Sequence, residues 1–169
     1  NEAILDNGDY RNSKFYEILG EEFIPWAFKC AHEADPDAEL YYNDYSMALP
    51  GKREGVVKLV KSLKAQGLRI DAVGLQSHMG MEHPDFAEYE KTIQALIDAG
   101  VKVAITELDM DAIPTVSFGA SVEDEAAYSA QMNPYPESLP DSVSQIWNDR
   151  MTQVFRIYEK YQNHICRVT

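Results

Sequence analysis

Several features are scarce or missing in this chain of 169 residues, and each absence removes a class of function. Lysine and arginine number only 15 against 28 aspartate and glutamate residues, which gives a formal net charge of −13. Nucleic-acid binding needs clustered basic side chains, and the sequence has no such cluster. No apolar run approaches the roughly 20 residues of a membrane-spanning helix, so the sequence predicts no membrane span. A neutral ligand such as a carbohydrate suits this charge balance, although charge alone cannot select it.

Cysteine is also scarce. Cys30 and Cys166 form no Cys-x-x-Cys motif and no Cys/His cluster, so the sequence predicts no zinc site and no other cofactor. Cys30 lies in a predicted amphipathic helix and Cys166 in a short apolar strand, and we expect two separate buried thiols, with a disulfide as the alternative. The chain has neither an initiator methionine nor a signal peptide at its start. We therefore expect a processed piece or fragment of a longer protein.

What the sequence does contain is an alternation of helical and strand patterns. Apolar residues at helical spacing predict four helices: Phe15–Ala34, Lys52–Gln66, Asp85–Ala99 and Ser142–Gln162. Short β-branched or aromatic runs predict four strands: Glu39–Tyr45, Ile70–Leu75, Val101–Asp109 and Ile165–Val168. A segment from about Met110 to Pro140 predicts a long loop, which either shapes a cleft or is a structural flap.

The first and last helices carry the two tryptophans. One face of the first helix is predicted to be buried, with these members: Phe15, Ile18, Leu19, Phe23, Trp26, Ala27 and Cys30. We expect Trp26 and Trp147 to be core residues rather than platforms for a sugar.

The repeated helix–strand order indicates parallel βα units. An open doubly wound sheet usually has a glycine-rich first turn, and this chain has none. Polar clusters follow the strands: Asn43-Asp44-Tyr45, Gln76-Ser77-His78 and Glu107-Leu108-Asp109. In a (β/α)8 TIM barrel the functional residues lie at this end of the strands. The pattern therefore favours such a barrel, although the chain supplies only about half of the roughly 250 residues and eight strands that the fold needs.

The segment Val101–Asp109, VKVAITELD, is the most informative part of the chain. Its β-branched residues alternate as in a buried strand, and Glu107 follows where the strand ends. Asp109 points the same way because strand side chains repeat every two residues. A carboxylate in this place is a candidate catalytic group. The structural alternative is a glutamate that caps a loop or forms a salt bridge.

Four motifs stand out by their order and spacing: Asn1-Glu2, Tyr42–Tyr45 (YNDY), Ile70–Gly74 (IDAVG) followed by QSH, and Ile105–Asp109 (ITELD). Together they resemble the family 10 glycoside hydrolases, the endo-β-1,4-xylanases, over nearly the whole chain. The resemblance implies that residues 1–169 form one partial catalytic domain, from the end of strand 4 to the start of strand 8 of the barrel. It also implies a retaining endo-1,4-β-xylanase that is secreted, periplasmic or held at the cell surface.

The resemblance implies a role for each matching residue. Glu107 corresponds to the nucleophile and Glu2 to the general acid/base. His78 and Asp109 correspond to a hydrogen-bonded chain that orients the nucleophile and keeps it ionised. The residues with an implied role in substrate binding are Asn1, Asn43, Gln76 and Tyr45, with Asn1 and Gln76 at the −1 sugar and Tyr45 as an aromatic platform on the leaving-group side.

The chemistry explains why these residue types are needed. In retaining hydrolysis one carboxylate attacks the anomeric carbon while a second carboxyl group protonates the leaving oxygen. One group must therefore be ionised while the other holds a proton. A histidine beside the nucleophile supports this division by hydrogen bonding to the charged form.

Each role has a structural alternative. Glu2 could be a frayed terminal residue, and His78 a structural histidine. The tyrosines of the YYNDY segment could all be core residues. A cluster of His78, Glu107 and Asp109 could also bind a divalent metal ion, as in other barrel hydrolases, although no second well-placed histidine supports this.

Two parts of the family pattern have no counterpart in the sequence: the first three strands, and the tryptophan-rich segment after the eighth strand. A half-barrel alone exposes two sheet edges. We therefore expect an N-terminal segment or a second chain to complete the barrel, or two copies to assemble. Two rival functions stay open: a non-catalytic half-barrel that binds sugar or only contributes to assembly, and a metal-dependent barrel hydrolase.

Overall fold

The computed structural model describes residues 2–113 and 133–169, and its helices and strands alternate along the chain. The helices are α1 (Lys14–Leu19), α2 (Phe23–Ala34), α3 (Pro50–Ala65), α4 (Phe86–Asp98) and α5 (Asp141–Lys160), and a 3-10 turn (Gly20–Glu22) joins the first two. The strands are β1 (Tyr41–Asp44), β2 (Ala72–Leu75), β3 (His78–Gly80), β4 (Lys102–Ile105), β5 (Asp109–Asp111) and β6 (Ile165–Val168).

The main sheet is parallel and has the order β1-β2-β4-β6. A helix separates each of these strands from the next along the chain, so the predicted βα units are confirmed. The sheet is also curled. Tyr41 on β1 and Cys166 on β6 lie 3.6 Å apart, between the phenol oxygen and Sγ, although two strands separate them. In a flat sheet three strand spacings would hold these residues roughly 14 Å apart.

The two faces of the sheet carry side chains of different size. The large apolar residues of β2 and β4 pack with the helices in one buried cluster: Val73, Leu75, Val103 and Ile105. The alternate positions of the same strands carry small residues: Ala72, Gly74 and Ala104. The helix-facing side is therefore the apolar core, and the concave side leaves room for polar side chains at the strand ends.

Most predicted elements are present with shifted ends. The last three predicted helices correspond to α3, α4 and α5, and α4 is capped by Asp85, whose side chain accepts a hydrogen bond from the Glu88 main-chain nitrogen. The predicted strand over Val101–Asp109 is instead two strands, β4 and β5, separated by residues 106–108. The strand β3 was not predicted. It pairs with β5 in parallel and sets His78 beside Asp109.

The prediction of one helix over Phe15–Ala34 is wrong. Gly20 ends α1 with a φ of 61°, a backbone conformation that glycine adopts without strain. The helix resumes at Phe23, and Pro25 lies in the first turn of α2, where its missing N–H is tolerated. Because the helix is interrupted, a single helical spacing no longer describes which side chains face inward.

The predicted buried face of this segment is also wrong. Ile24 and Phe28 are buried instead. Phe23 is partly buried against the core as expected, but four other large side chains that were expected inside are exposed by the following fractions, and we call them the α1–α2 face: Phe15 69%, Ile18 76%, Leu19 46% and Trp26 54%. Trp26 is therefore not a core residue, whereas Trp147 is half-buried against the core and donates its indole N–H to the Met110 carbonyl.

Both cysteines are free and exposed, so the expectation of buried thiols is wrong, and no disulfide joins them. Among the described residues, no helix is long and apolar enough to cross a bilayer. The predicted loop from Met110 begins within strand β5. Most of it, residues 114–132, lies outside the described residues, and so the prediction that it is a flap or shapes a cleft lies outside them too.

Candidate active site

The predicted site residues lie at the carboxyl ends of β1, β2 and β4. Glu107 follows β4 by two residues, and its main-chain nitrogen donates to the Gln76 carbonyl oxygen at 3.1 Å. Glu2 lies beside β1, where its main-chain nitrogen donates to the Asn43 carbonyl oxygen at 2.9 Å. Parallel strands end at one edge of the sheet, and so they bring these sequence-distant side chains together.

The Glu107 carboxylate has a partner at each oxygen. Asn43 Nδ2 donates to Oε1 at 3.0 Å, and His78 Nε2 lies 3.3 Å from Oε2. The other ring nitrogen of His78 lies 2.9 Å from Asp109 Oδ2. An imidazolium donates to both carboxylates at once, whereas a neutral ring donates to only one. The Glu107 side chain is 43% exposed, so a ligand can reach it.

Glu2 is held more closely than a frayed terminal residue would be. Its Oε1 accepts a hydrogen bond from Gln76 Nε2 at 3.0 Å, and its Oε2 lies 3.8 Å from the Arg11 guanidinium. Its φ of 54° lies in the left-handed region, which costs energy for a residue with a side chain. The surrounding contacts therefore hold Glu2 in a conformation that it would not adopt alone.

Asn43 and Gln76 connect the two glutamates reciprocally. The Asn43 main chain accepts from the Glu2 nitrogen while its side chain donates to Glu107. The Gln76 main chain accepts from the Glu107 nitrogen while its side chain donates to Glu2. Each of these two residues thus contacts the backbone of one glutamate and the carboxylate of the other. A displacement of either strand end would change both carboxylate positions.

A strained turn separates Gln76 from His78. Ser77 has a φ of 67°, and its hydroxyl oxygen lies 2.7 Å from the Tyr89 phenol oxygen. That phenol lies 3.2 Å from the Tyr158 phenol, inside the helical layer. Burial raises the pKa of Tyr89 well above its usual value, so the phenol stays protonated and available for hydrogen bonding. The turn lets the Gln76 side chain face Glu2 while the His78 side chain faces Glu107.

A buried polar network lies behind Glu2. The Tyr42 phenol oxygen accepts from the main-chain nitrogens of Ala3 at 2.9 Å and Ile4 at 3.2 Å, and it donates to Asp44. Burial, followed by the charge of Asp44, raises the pKa of Tyr42 far above its usual value. Tyr42 therefore stays protonated and donates to Asp44, while its oxygen accepts from, and so fixes, the two residues after Glu2.

Lys52 completes this network. It is fully buried at the start of α3, and its ammonium lies 2.9 Å from Asp44 Oδ1, in an ion pair whose angles fall outside hydrogen-bonding geometry. The ammonium also lies 3.7 Å from the centre of the Tyr45 ring. The Tyr45 hydroxyl accepts from Arg11 at 2.6 Å. Lys52 thus covers part of the ring, and the Arg11 guanidinium carbon lies 5.7 Å from the ring centre, so these two cations limit the surface on which a sugar could stack.

Sequence reasoning did not select Lys52, Arg11 or Thr106. A signal for Lys52 was present, because it lies four residues before Val56 on the apolar stripe of its predicted helix. A lysine in such a place needs a buried anion. Nothing local in the sequence identifies Arg11 or Thr106, whose partners are distant in the chain.

The structure brings together seven of the eight predicted site residues through these contacts: Glu2, Asn43, Tyr45, Gln76, His78, Glu107 and Asp109. Asn1, the eighth, lies outside the described residues. In residues 2–113 and 133–169, no three His, Cys, Asp or Glu side chains are grouped so that they could hold a metal ion.

Comparison with known proteins identifies the family of the chain. A model of glycosyl hydrolase family 10 matches residues 1–168. Endo-1,4-beta-xylanase A of Xylanibacter ruminicola is 53% identical over 171 residues, covering 100% of this chain and 46% of its own length. Endo-1,4-beta-xylanase of Geobacillus stearothermophilus is 37% identical and is matched over 48% of its length. The chain therefore spans about half the length of these relatives.

Solved structures of xylanases have the same fold over this chain. A GH10 endoxylanase retrieved from a sugarcane soil metagenome superposes with a TM-score of 0.89 at 43% identity, covering all of this chain and 48% of that one. A mutant of the intracellular xylanase TsXylA from Thermoanaerobacterium saccharolyticum, in complex with xylotriose, gives 0.80 at 28% identity over 99% of this chain and 45% of that one. The curled parallel sheet is thus part of a (β/α)8 barrel, and the chain belongs to glycosyl hydrolase family 10.

Proposed function

We propose that the protein carrying this chain is a retaining endo-1,4-β-xylanase that hydrolyses internal β-1,4 linkages of xylan by double displacement. One observation carries the proposal: two glutamates, Glu2 and Glu107, are tied to each other at the strand ends by Asn43 and Gln76. A paired carboxyl arrangement is what retaining glycoside hydrolysis requires. The xylanase names of the relatives and the xylotriose-bound neighbour support the choice of substrate.

In the proposed mechanism, Glu107 attacks the anomeric carbon of the −1 sugar while Glu2 donates a proton to the leaving oxygen. The C–O bond to the leaving group breaks, and a covalent glycosyl–enzyme ester forms on Glu107. Glu2, now a carboxylate, then takes a proton from water, which attacks the anomeric carbon and releases Glu107. The anomeric configuration is retained because two inversions occur.

The neighbouring side chains suit these roles. His78 and Asn43 each direct a nitrogen at a Glu107 oxygen, which fixes the orientation of the carboxylate. Asp109 fixes the far side of the His78 ring. Gln76 donates to Glu2, and Arg11 lies nearby, where it can stabilise the carboxylate that Glu2 becomes in the first step.

We further propose substrate contacts by Asn1 and Gln76 at the −1 sugar, by Asn43 beside the nucleophile, and by the Tyr45 ring on the leaving-group side. We also propose that the protein acts outside the cytoplasm, where polymeric xylan is accessible, although the similar xylanase TsXylA is intracellular. Secretion of the protein in culture would test that part.

The chain is also proposed to work with further polypeptide that completes the barrel. Two observations support this: the chain spans about half of its relatives, and the α1–α2 face exposes large apolar side chains that a folded core would cover. The same observations favour a second candidate, in which this piece alone is a non-catalytic half-barrel.

The test is xylan and aryl xyloside hydrolysis by this chain, with and without the segment that completes the barrel, for the wild type and for Glu107→Ala. We expect activity only in the completed protein and its loss, by roughly 10⁴-fold or more, in the variant. Retained activity in Glu107→Ala would refute the assignment. Loss of activity on treatment with a chelator would instead favour a metal-dependent hydrolase. A completed protein that binds xylan without cleaving it would favour the non-catalytic candidate.

A further inference from the structure

The Asn43 side-chain amide is bonded at both ends. Its nitrogen donates to Glu107 Oε1 at 3.0 Å, and its oxygen accepts from the Thr106 hydroxyl at 2.7 Å. The two contacts run from β1 to the end of β4, although β2 lies between these strands. The amide thus bridges two strands that do not pair with each other.

The two contacts define one orientation of the amide. A carboxylate only accepts hydrogen bonds, so Glu107 requires the amide nitrogen and would be repelled by the amide oxygen. The oxygen then needs a donor on the other side, and Thr106 supplies it. Without that hydroxyl the half-buried oxygen would lose its partner, and rotation of the side chain would cost less.

Gly74 on β2 leaves the space for this bridge. It pairs in register with Asn43 on β1. A Cβ at Gly74 would lie 2.3 Å from Asn43 Oδ1 and 2.9 Å from Thr106 Cγ2, distances that real Cβ atoms do not show. Gly74 is not among the glycines with a positive φ, so its backbone conformation does not require glycine. Glycine normally weakens a strand interior. Its presence at position 74 is explained by the close approach of Asn43 and Thr106, which leaves no room for a side chain there.

We propose that Thr106 and Gly74 are positioning residues that fix the Asn43 amide against Glu107. Thr106 acts through its hydroxyl and Gly74 through its lack of a side chain. The kinetic consequence rests on the proposed function, because it requires Glu107 to be the nucleophile. The orientation of the amide does not depend on that proposal and can be measured separately.

The test uses the complete protein and compares Thr106→Val with Thr106→Ser. Valine keeps the shape of threonine and removes the hydroxyl, whereas serine keeps the hydroxyl. We expect kcat on xylan to fall about 10- to 100-fold in Thr106→Val, the loss of a hydrogen bond that supports a charged group, and to stay within about threefold of the wild type in Thr106→Ser. Gly74→Ala should resemble the valine variant, because it displaces the same amide by a different route.

The second measurement is the side-chain NH₂ signal of Asn43 in ¹⁵N NMR spectra, assigned with Asn43→Asp. We expect it to move in Thr106→Val and Gly74→Ala and to stay in place in Thr106→Ser. Thr92→Val is the matched control: it removes a buried threonine hydroxyl on α4 that donates to the Met47 carbonyl rather than to the Asn43 amide, and it should leave the signal unchanged. If Gly74→Ala does not fold, the valine and serine pair decides alone.

The outcomes separate this inference from the proposed function. An unmoved Asn43 signal in Thr106→Val would overturn the inference, even if the protein is an active xylanase. A loss of activity in Thr106→Ser equal to that in Thr106→Val would also overturn it. If the wild type shows no xylanase activity, the proposed function fails, while a moved signal in the valine variant and an unmoved one in the serine variant would still support the positioning role.

Discussion

The carboxyl ends of the strands and the α1–α2 face differ in where their side chains find partners. At the strand ends, the polar groups of Glu2, Asn43, Gln76 and Glu107 bond to one another within this chain. On the α1–α2 face, large apolar side chains are exposed to solvent. The chemistry of the candidate site is therefore assembled locally, whereas the described residues leave the apolar side chains of the α1–α2 face uncovered.

This contrast follows from the architecture. In a parallel barrel the catalytic side chains come from the ends of neighbouring strands, so consecutive βα units can present several of them together. The core of a closed barrel, in contrast, is shared by all of its strands and helices. Part of a barrel can therefore contain a nearly complete set of contacts around its carboxylates and still leave apolar surface uncovered.

The largest expected effect tests whether Glu2 acts as the acid/base and Glu107 as the nucleophile. Glu2→Gln removes the proton donor and keeps the size of the side chain. We expect hydrolysis of xylan to fall about 10²- to 10⁴-fold, the usual contribution of general acid–base catalysis. Formation of the covalent intermediate from an aryl xyloside with an acidic phenol should fall much less, because such a leaving group departs without protonation. An equal loss on both substrates would contradict the acid role.

A smaller effect tests the buried support behind Glu2. Tyr42→Phe removes the acceptor for the Ala3 nitrogen and one acceptor for the Ile4 nitrogen. We expect the free energy of unfolding to fall by about 1–3 kcal/mol, the cost of an unsatisfied buried group. Denaturant unfolding measures it, and no change would mean that Tyr42 does not anchor this segment.

The same variant should change the response to alkaline pH. The pKa of Tyr42 is raised in the folded state. Its contribution to the free energy of unfolding is therefore complete below the ordinary pKa of 10.0 and declines as the pH rises above that value. The phenylalanine variant should lose this part of the alkaline destabilisation. A wild type and variant with parallel stability curves above pH 10.0 would contradict the assignment.

The smallest expected effect concerns the α1–α2 face. Ile18→Ala in this chain alone should change stability by less than about 0.5 kcal/mol, because the side chain is exposed. Ile24→Ala, at a buried position of the adjoining helix, should cost about 2–5 kcal/mol and is the matched control. In the completed barrel the two variants should become similar. A difference that persists there would mean that further polypeptide does not cover Ile18.

The sequence predicted the helices and strands wherever one period of apolar residues continued through an element, as in α3 and α4. It failed between Phe15 and Ala34 because Gly20 interrupts a pattern whose spacing looks continuous, and because exposed apolar residues of a partial barrel imitate a buried stripe. The prediction that both cysteines are buried failed for a related reason. Cys30 and Cys166 are exposed, and the local pattern of apolar residues does not distinguish an exposed apolar position from a buried one.

For the candidate site, the sequence indicated the residues that carry recognisable motifs, such as Glu107 and His78. It did not indicate Thr106, Arg11 or Lys52, because their roles come from three-dimensional neighbours. Thr106 is an ordinary strand-end residue until Asn43 is known to lie 2.7 Å away. The contact depends on strand order and register, which no local pattern in the chain specifies.

The most direct test of the central claim is to trap the covalent intermediate on this chain. The complete protein would be incubated with a 2-fluoro xylobioside that carries a good leaving group, digested, and analysed by peptide mass spectrometry. The fluorine destabilises the oxocarbenium-like transition state and slows hydrolysis of the ester, so the intermediate accumulates. We predict one added disaccharide on the peptide that contains Glu107, and none in Glu107→Ala. A label on another carboxylate, or xylan hydrolysis with inverted stereochemistry and no adduct, would contradict the account.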